Sequence, residues 1–317
     1  MKRWKHPLFR QLPWSAAVLA SLASAGCVTT SPPLVMPDPA IAEQIDNLNR
    51  LSEYLANTPP EEPAALVNSI ERLMISWQRE QRQGRERPLE HLVNRKVVAN
   101  FDELVVIFQT GNHERRLVAA WALGFSRVPE NPMGIASRHQ EALAVLMPVI
   151  ESAPADTLNN VILAVWKIGD PETPLQPILD IAVNHPVAEV RANAVLALTA
   201  ILTEQTAIAA NDAVLLALTD SDPKVRLHAT SLASMHPHRL TTERILRLLP
   251  NEKTPLVRAG MAKALGAAQD PSAGPLLQRM LASPRGVERT WAHAALVAIY
   301  GTDLGNTPDD WERILPR

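Results

Sequence analysis

Between residues 100 and 301 the apolar positions recur at helix spacing, and one frame repeats. An Arg is followed seven residues later by an apolar residue. Arg116 leads to Leu123, Arg191 to Leu198, Arg226 to Ala233, Arg258 to Leu265 and Arg289 to Leu296. A degenerate sixth copy has Val161 in the Arg place and Ile168 seven residues on. Successive copies lie 45, 30, 35, 32 and 31 residues apart. A period in this range predicts stacked supersecondary units, here pairs of helices whose second member carries the frame. The column three residues past the Arg place reads Ala119, Ala164, Ala194, Ala229, Met261 and Ala292, small enough for neighbouring helices to approach closely. The next column after the Arg is also mostly apolar: Leu117, Ile162, Ala192, Leu227 and Ala259. A helix apolar on two sides is sandwiched, and one hairpin cannot bury both sides alone, so the units must stack.

The punctuation agrees with the frame. Asp170-Pro171, Asp222-Pro223 and Asp270-Pro271 each place a capping acceptor before a proline suited to the first helical position. Gly124, Gly169 and Gly266 follow the second helix's closing apolar residue, which predicts left-handed caps. Val105-Val106-Ile107 falls inside a helical pattern, and no alternating β-branched run predicts a sheet.

Asp222-Pro223-Lys224-Val225-Arg226 and Ala264-Leu265-Gly266 resemble the HEAT-repeat family, in particular the short HEAT-like repeats of phycobilisome lyases. The resemblance covers residues 100–301, and a period near 31 favours the short form over the ~40–47 of full HEAT repeats. It implies an all-α fold, an α-solenoid of about six HEAT-like helical hairpins used as a binding scaffold; it implies no substrate.

Five segments are expected: a leader over 1–26, a lipid anchor and Pro-rich tether over 27–39, an N-terminal helical cap over 40–98, repeats over 99–301 and a capping segment over 302–317. In the cap, Ile41, Ile45, Leu48, Leu51 and Leu55 form one stripe. A second helix, from Ala64 to about Gln83, turns Leu66, Ile70, Leu73, Met74 and Trp77 inward. End repeats of a solenoid differ because they cover its open core. The polar stretch 79–87 reads as a helix end and loop, and 127–140 as an irregular excursion. At the far end, Thr307-Pro308-Asp309-Asp310 predicts a capped helix start that folds Trp311 and Ile314 back as a lid.

The first residues add a compartment. Lys2, Arg3, Lys5 and Arg10 precede an apolar stretch over 12–25, the layout of a signal peptide and too short to span a membrane. Ser24-Ala25-Gly26-Cys27 resembles the bacterial lipoprotein cleavage box, with Ser24 standing where that box usually has Leu. Cys27 is the sole Cys of the chain, so no internal disulfide forms, and acylation at Cys27 would remove the oddity of a lone exported thiol. Val28 in place of Asp implies the outer membrane facing the periplasm, with palmitate-type acylation as anchor. Removing 1–26 takes away four positive charges and no negative ones, so the formal charge goes from −2 to −6. That balance lacks the basic face of a general nucleic-acid binder.

The chain carries no phosphate loop, dinucleotide fingerprint, His-Glu-x-x-His or nucleophile elbow. The pair in His236-Pro237-His238, even with Glu243, falls short of the three or four converging ligands that zinc needs. His228 and His293 read as hydrogen-bonded helix histidines. No cofactor, metal or small-molecule substrate is therefore expected. Two features are candidates for contact with a protein partner. The Arg column, Arg116, Arg191, Arg226, Arg258 and Arg289, either lines a binding surface or forms an internal ladder onto carbonyls and loop acids of neighbouring repeats. Trp121 and Trp166 stand at the same place of adjacent repeats and either fill the seam or form a contact hot spot. The function expected is a non-catalytic envelope lipoprotein scaffold acting in assembly of an envelope complex. The alternatives are a lyase-like or accessory enzyme related to bilin lyases, and a structural glycan- or peptidoglycan-binding protein.

Overall fold

The structure is a computed structural model, and it describes residues 62–128 and 136–315. The expected leader, Cys27, the tether and the stripe over 41–55 lie outside the described residues. Helices in chain order are α1 (Pro63–Gln81), α2 (Arg87–Ala99), α3 (Phe101–Thr110), α4 (His113–Ala122), α5 (His139–Leu146), α6 (Ala155–Ile168), α7 (Leu175–Asn184) and α8 (Ala188–Ile201). They continue with α9 (Glu204–Ala217), α10 (Pro223–Met235), α11 (Arg239–Leu248), α12 (Pro255–Ala268), α13 (Gly274–Leu281), α14 (Gly286–Tyr300) and α15 (Pro308–Trp311). The described residues hold no strand. The all-α repeat architecture is therefore the observed one, with every Arg-place residue on the second helix of a hairpin. The chain divides into two compact units at Ile168/Gly169, a boundary that falls inside the repeat region.

The C-terminal unit contains four hairpins: α7/α8, α9/α10, α11/α12 and α13/α14. Its frame helices α8, α10, α12 and α14 pack successively side by side in one layer, while α7, α9 and α11 form the other. The Ala column explains the close frame layer, since Ala194, Ala229, Met261 and Ala292 are all buried between neighbours. Gly266 tightens it further: a Cβ there would lie 2.7 Å from Ala295 Cα. Gly266 is thus a packing glycine inside α12 and not a cap, contrary to the sequence expectation. The left-handed residue at that helix end is Gln269, φ 51°. Gly124 likewise sits in a 3-10 turn against Ala164, and of the three glycines only Gly169, φ 58°, is left-handed. Of the Asp-Pro pairs, Asp222 behaves as predicted, its carboxylate accepting from the Lys224 amide at 2.7 Å and opening α10, whereas Asp270 caps a 3-10 turn and Asp170 a turn that ends before α7.

At the end of this unit Thr307 and Asp310 form a reciprocal capping box that opens α15. Trp311 is fully buried, its Nε1 donating to the Gly305 carbonyl at 2.7 Å. Ile314, expected inward, is exposed; Leu315 takes the buried place because the helix ends at Trp311 and the next residues turn.

In the N-terminal unit, hairpins α3/α4 and α5/α6 are preceded by α1 and α2. Leu66, Ile70, Met74 and Trp77 of α1 are buried as their spacing predicts, and Leu73 is half-buried. Helix α1 packs across α4. This covers the face of α4 that a free end repeat would leave open.

Candidate functional site: the frame-helix face

The Arg column proves to be a ladder whose rungs share one construction. Arg191 Nε and Nη2 hold the Asp220 carboxylate, both at 2.8 Å, while Nη1 donates to the His185 and Pro186 carbonyls. Arg226 repeats this one hairpin on, holding Glu252 at 2.8 and 3.0 Å and the Asp220 and Ser221 carbonyls. Arg258 holds Glu288 at 3.1 Å and the Leu249 and Glu252 carbonyls. The rule is local and long-range together. Each Arg satisfies the carbonyl six residues before it, which closes its own hairpin loop, and reaches a carboxylate of the next hairpin. The acid stands six places before the next Arg in Asp220 and Glu252; there it also accepts the amide two residues on. The third rung departs, with Ser283 at that place and its hydroxyl steadying Glu288 at 2.8 Å.

Burial pushes the Asp220 and Glu252 carboxyls up, but the hydrogen bonds from Arg191 and Arg226 and from backbone amides outweigh it and hold both below the usual carboxylate range. Asp220 in return raises Arg191 above its ordinary value. Arg191, Arg226 and Arg258 are therefore structural ties, and the expectation that they touch a partner is corrected. Arg116 donates to the Phe108 carbonyl inside its own hairpin. Arg289 ends the ladder, exposed and donating to the Ser283 carbonyl at 2.7 Å. A cavity of about 320 Å³ opens between two rungs, walled by Leu218, Asp220, Arg226, Leu248, Glu252 and Lys253. Of its charged groups, Asp220, Arg226 and Glu252 are committed to the ladder.

Trp121 is also corrected. It is only 3% exposed and packs edge-on to Phe125 and Trp77, ring centres 5.4 and 6.2 Å away. The cause is Trp77 of α1, a residue outside the repeat frame. Lys167 completes this cluster, its Nζ 5.4 and 5.2 Å from the Trp77 and Phe125 rings and 2.6 Å from Glu90. Glu90 accepts in turn from Trp77 Nε1 at 3.1 Å. The cation is spent on tying α2 to α6. Trp166, on α6, is half-buried and remains able to meet solvent.

Along the frame helices of the C-terminal unit, the stripe two and five residues past the Arg place is buried on α8 and α10 and opens only at Lys263 of α12 and at Trp291 and Ala294 of α14. There the fifth residue of one helix meets the second of the next: Lys263 Nζ lies 5.6 Å over the Trp291 ring. Both are half-buried, and Met235, at the end of α10, is exposed. The same stripe holds His228, whose Nδ1 is buried without a hydrogen-bond partner, in contrast to the sequence expectation. His293 does meet that expectation, with Nε2 2.8 Å from Asp303. Burial, and then the neighbouring Lys224 charge, lower His228 to about 4, so its imidazole is neutral at ordinary pH. Burial also lowers the Lys263 ammonium. A cation stacked on a half-buried Trp suits contact with a polypeptide, whereas His228 is buried and does not face one. Sequence reasoning missed Trp291 and Lys263. The signal was their column: residue five of one repeat and residue two of the next are neighbours once the frame is stacked.

The remaining histidine pair makes no metal centre. His238 caps α11, its Nδ1 accepting from the Leu240 amide at 3.3 Å, and Glu243 pairs with Arg239. Among the described residues no group of three His, Cys, Asp or Glu side chains could hold a metal ion. No described helix is long and apolar enough to cross a membrane.

Residues 211–297 match the family of HEAT repeats. The matched stretch contains two complete rungs of the ladder, Arg226–Glu252 and Arg258–Glu288. Among solved structures, a designed armadillo repeat protein aligns at 18% identity, covering 62% of this chain and 98% of its own, with a TM-score of 0.48. A second designed armadillo repeat protein, in complex with the peptide (KR)4, aligns at 18% identity over 75% of this chain and 100% of its own, TM-score 0.42. Human deoxyhypusine hydroxylase aligns at 15% identity over 83% of this chain and 99% of its own, TM-score 0.36. No curated protein matches this chain significantly.

Proposed function

We propose that the chain is a non-catalytic lipoprotein scaffold of the bacterial envelope. It is acylated at Cys27, tethered through residues 28–39, and holds a protein partner on the frame-helix face in assembly of an envelope complex. The observation that carries the partner reading is the half-buried Lys263–Trp291 pair, at the end of the frame-helix stripe that opens to solvent. Stacked-repeat folds present such extended faces to polypeptide partners, and Trp and cationic side chains dominate contact energies. Trp166 is the corresponding contact in the N-terminal unit. The anchor rests on the basic start, the apolar stretch and Ser24-Ala25-Gly26-Cys27.

Photo-crosslinking amino acids placed at Trp166 and Trp291 in cells test the face, with exposed Gln176 on α7 as comparison. A specific protein caught from Trp291 and not from Gln176 is the expected result. The same protein caught only from Gln176 refutes the face. Mass measurement of the mature N-terminus tests the anchor separately: a diacylglyceryl Cys27 is expected, and an unmodified N-terminus refutes it.

A further inference from the structure

Helices α1 and α2 sort their charges by side. Ala65, Asn68, Arg72, Arg79 and Arg82 follow one another along α1 and its C-cap at the three-, four- and seven-residue steps of one helix face, and all are exposed. This stripe carries three Arg and no acid. Arg87, at the start of α2 just past the turn, is exposed as well. Among the described residues, none of these four guanidiniums has an ion-pair or hydrogen-bond partner. The acids of the same helices are engaged or turned away. Glu80 is held by Arg85 at 3.0 Å, Glu90 by Lys167 and Trp77 Nε1, and Glu71 and Glu86 are half-buried. Exposed Glu62 precedes α1, ten residues before Arg72 and so about 15 Å away along the axis. The result is a cationic strip on a chain whose formal charge, without residues 1–26, is −6.

We propose that this strip docks the N-terminal unit on an anionic phospholipid surface; the choice of a membrane over another anion rests on the anchor proposed at Cys27. Residues 28–61 are all that separate Cys27 from the described chain, a reach of at most about 120 Å when fully extended. Helix α1 is therefore the first described element that the chain path brings to the bilayer holding the lipid. Tethering makes docking intramolecular, so a weak surface contact suffices. Arg suits that contact, because one guanidinium can hold two phosphate oxygens at once. Each Arg near an anionic leaflet favours adsorption roughly fivefold, and four together roughly several hundredfold at low salt. Among the described residues of α1 and α2 no large apolar side chain is exposed, so the contact stays at the headgroups and is screened by salt.

Quenching of a local fluorophore tests this directly. The full chain carrying Cys27→Ser and Gln83→Cys is labelled at that exposed turn position. It is mixed with phosphatidylcholine vesicles that contain a headgroup spin-labelled lipid, with or without phosphatidylglycerol. The leader is common to every form, so only differences between forms are read. Quenching is expected with phosphatidylglycerol and not without it, and a label placed instead by Gln176→Cys on α7 stays bright in both. Exchange of Arg72, Arg79, Arg82 and Arg87 for Gln is expected to weaken the docking at least tenfold, whereas exchange of the same four for Lys retains it; unchanged urea unfolding shows that both forms are folded. The proposal is overturned if the label at position 83 is quenched equally without phosphatidylglycerol, if position 176 is quenched as strongly, or if the Gln form docks as well as the parent. A chain that ignores phosphatidylglycerol yet binds poly-glutamate through the same Arg overturns it in favour of an acidic polypeptide. The anchor is read separately by mass: an unmodified Cys27 with intact quenching refutes the anchor alone, and an acylated Cys27 without quenching refutes the docking alone.

Discussion

Arg226→Ala separates a structural Arg column from a contact surface. The side chain is 18% exposed and its partner Glu252 6%. The substitution removes both bonds to Glu252 and those to the Asp220 and Ser221 carbonyls, leaving a nearly buried carboxylate with the Thr254 amide. Removing one member of a buried pair costs about 3–5 kcal/mol, and residual exposure places this pair near the lower figure. With a urea dependence of about 2 kcal/mol per M, that moves the unfolding midpoint down by roughly 1.5 M. Arg289→Ala, at the open end of the ladder, is expected to cost under about 1 kcal/mol, since the group is exposed and bonds one carbonyl.

The assay is urea unfolding followed by circular dichroism, with hydrogen exchange of α8, α10 and α12 to place the loss in the C-terminal unit. Arg226→Lys keeps the charge but not the two-pronged geometry and falls between wild type and Ala. Arg226→Met with Glu252→Leu recovers much of the loss, because two apolar groups leave no buried charge. An Arg226→Ala protein within about 0.5 kcal/mol of wild type, or no weaker than Arg289→Ala, refutes the ladder. Loss of the crosslinked partner at unchanged stability would return Arg226 to the contact surface.

Two further outcomes follow from the packing and the charges. Gly266→Ala destabilises by about 1–3 kcal/mol in thermal or urea unfolding, because its Cβ would meet backbone at Ala295 Cα, whereas Gly286→Ala, where the nearest atom is Arg289 Nη2 at 3.9 Å, is neutral or mildly stabilising. Burial holds His228 at about 4 against an ordinary 6.5. The unfolded chain therefore takes up that proton first, and stability declines as pH falls from about 6.5 to 4, by up to about 3 kcal/mol; His228→Gln flattens this decline, and an unchanged slope in the variant refutes the assignment.

The repeat itself was legible in the residues. An apolar column at seven and a small one at three fix which sides must be covered, because a helix apolar on two sides has no stable state alone, while of the Asp-Pro pairs only Asp222-Pro223 marks an α-helix start. Capping was equally local: Asp222 and Thr307 act through amides two or three residues away, so their bonds follow from the sequence. The Arg column was half legible. Its own loop carbonyls lie six residues back, but its carboxylates lie 26 to 30 residues on, and only stacking brings Asp220, Glu252 and Glu288 into reach. Trp121 was illegible for the same reason: what covers it is Trp77, 44 residues earlier and outside the frame. Gly266 and Gly124 look like helix ends in one dimension and are contact points in three. Short-range periodicity determines which side chains must leave water; the register between helices, a property of the packed layers, decides which neighbour each one finds. That register turned Arg191, Arg226 and Arg258 from candidate contacts into ties between hairpins, kept Arg116 within its own hairpin and Arg289 exposed, and left Lys263 and Trp291 half-buried together instead.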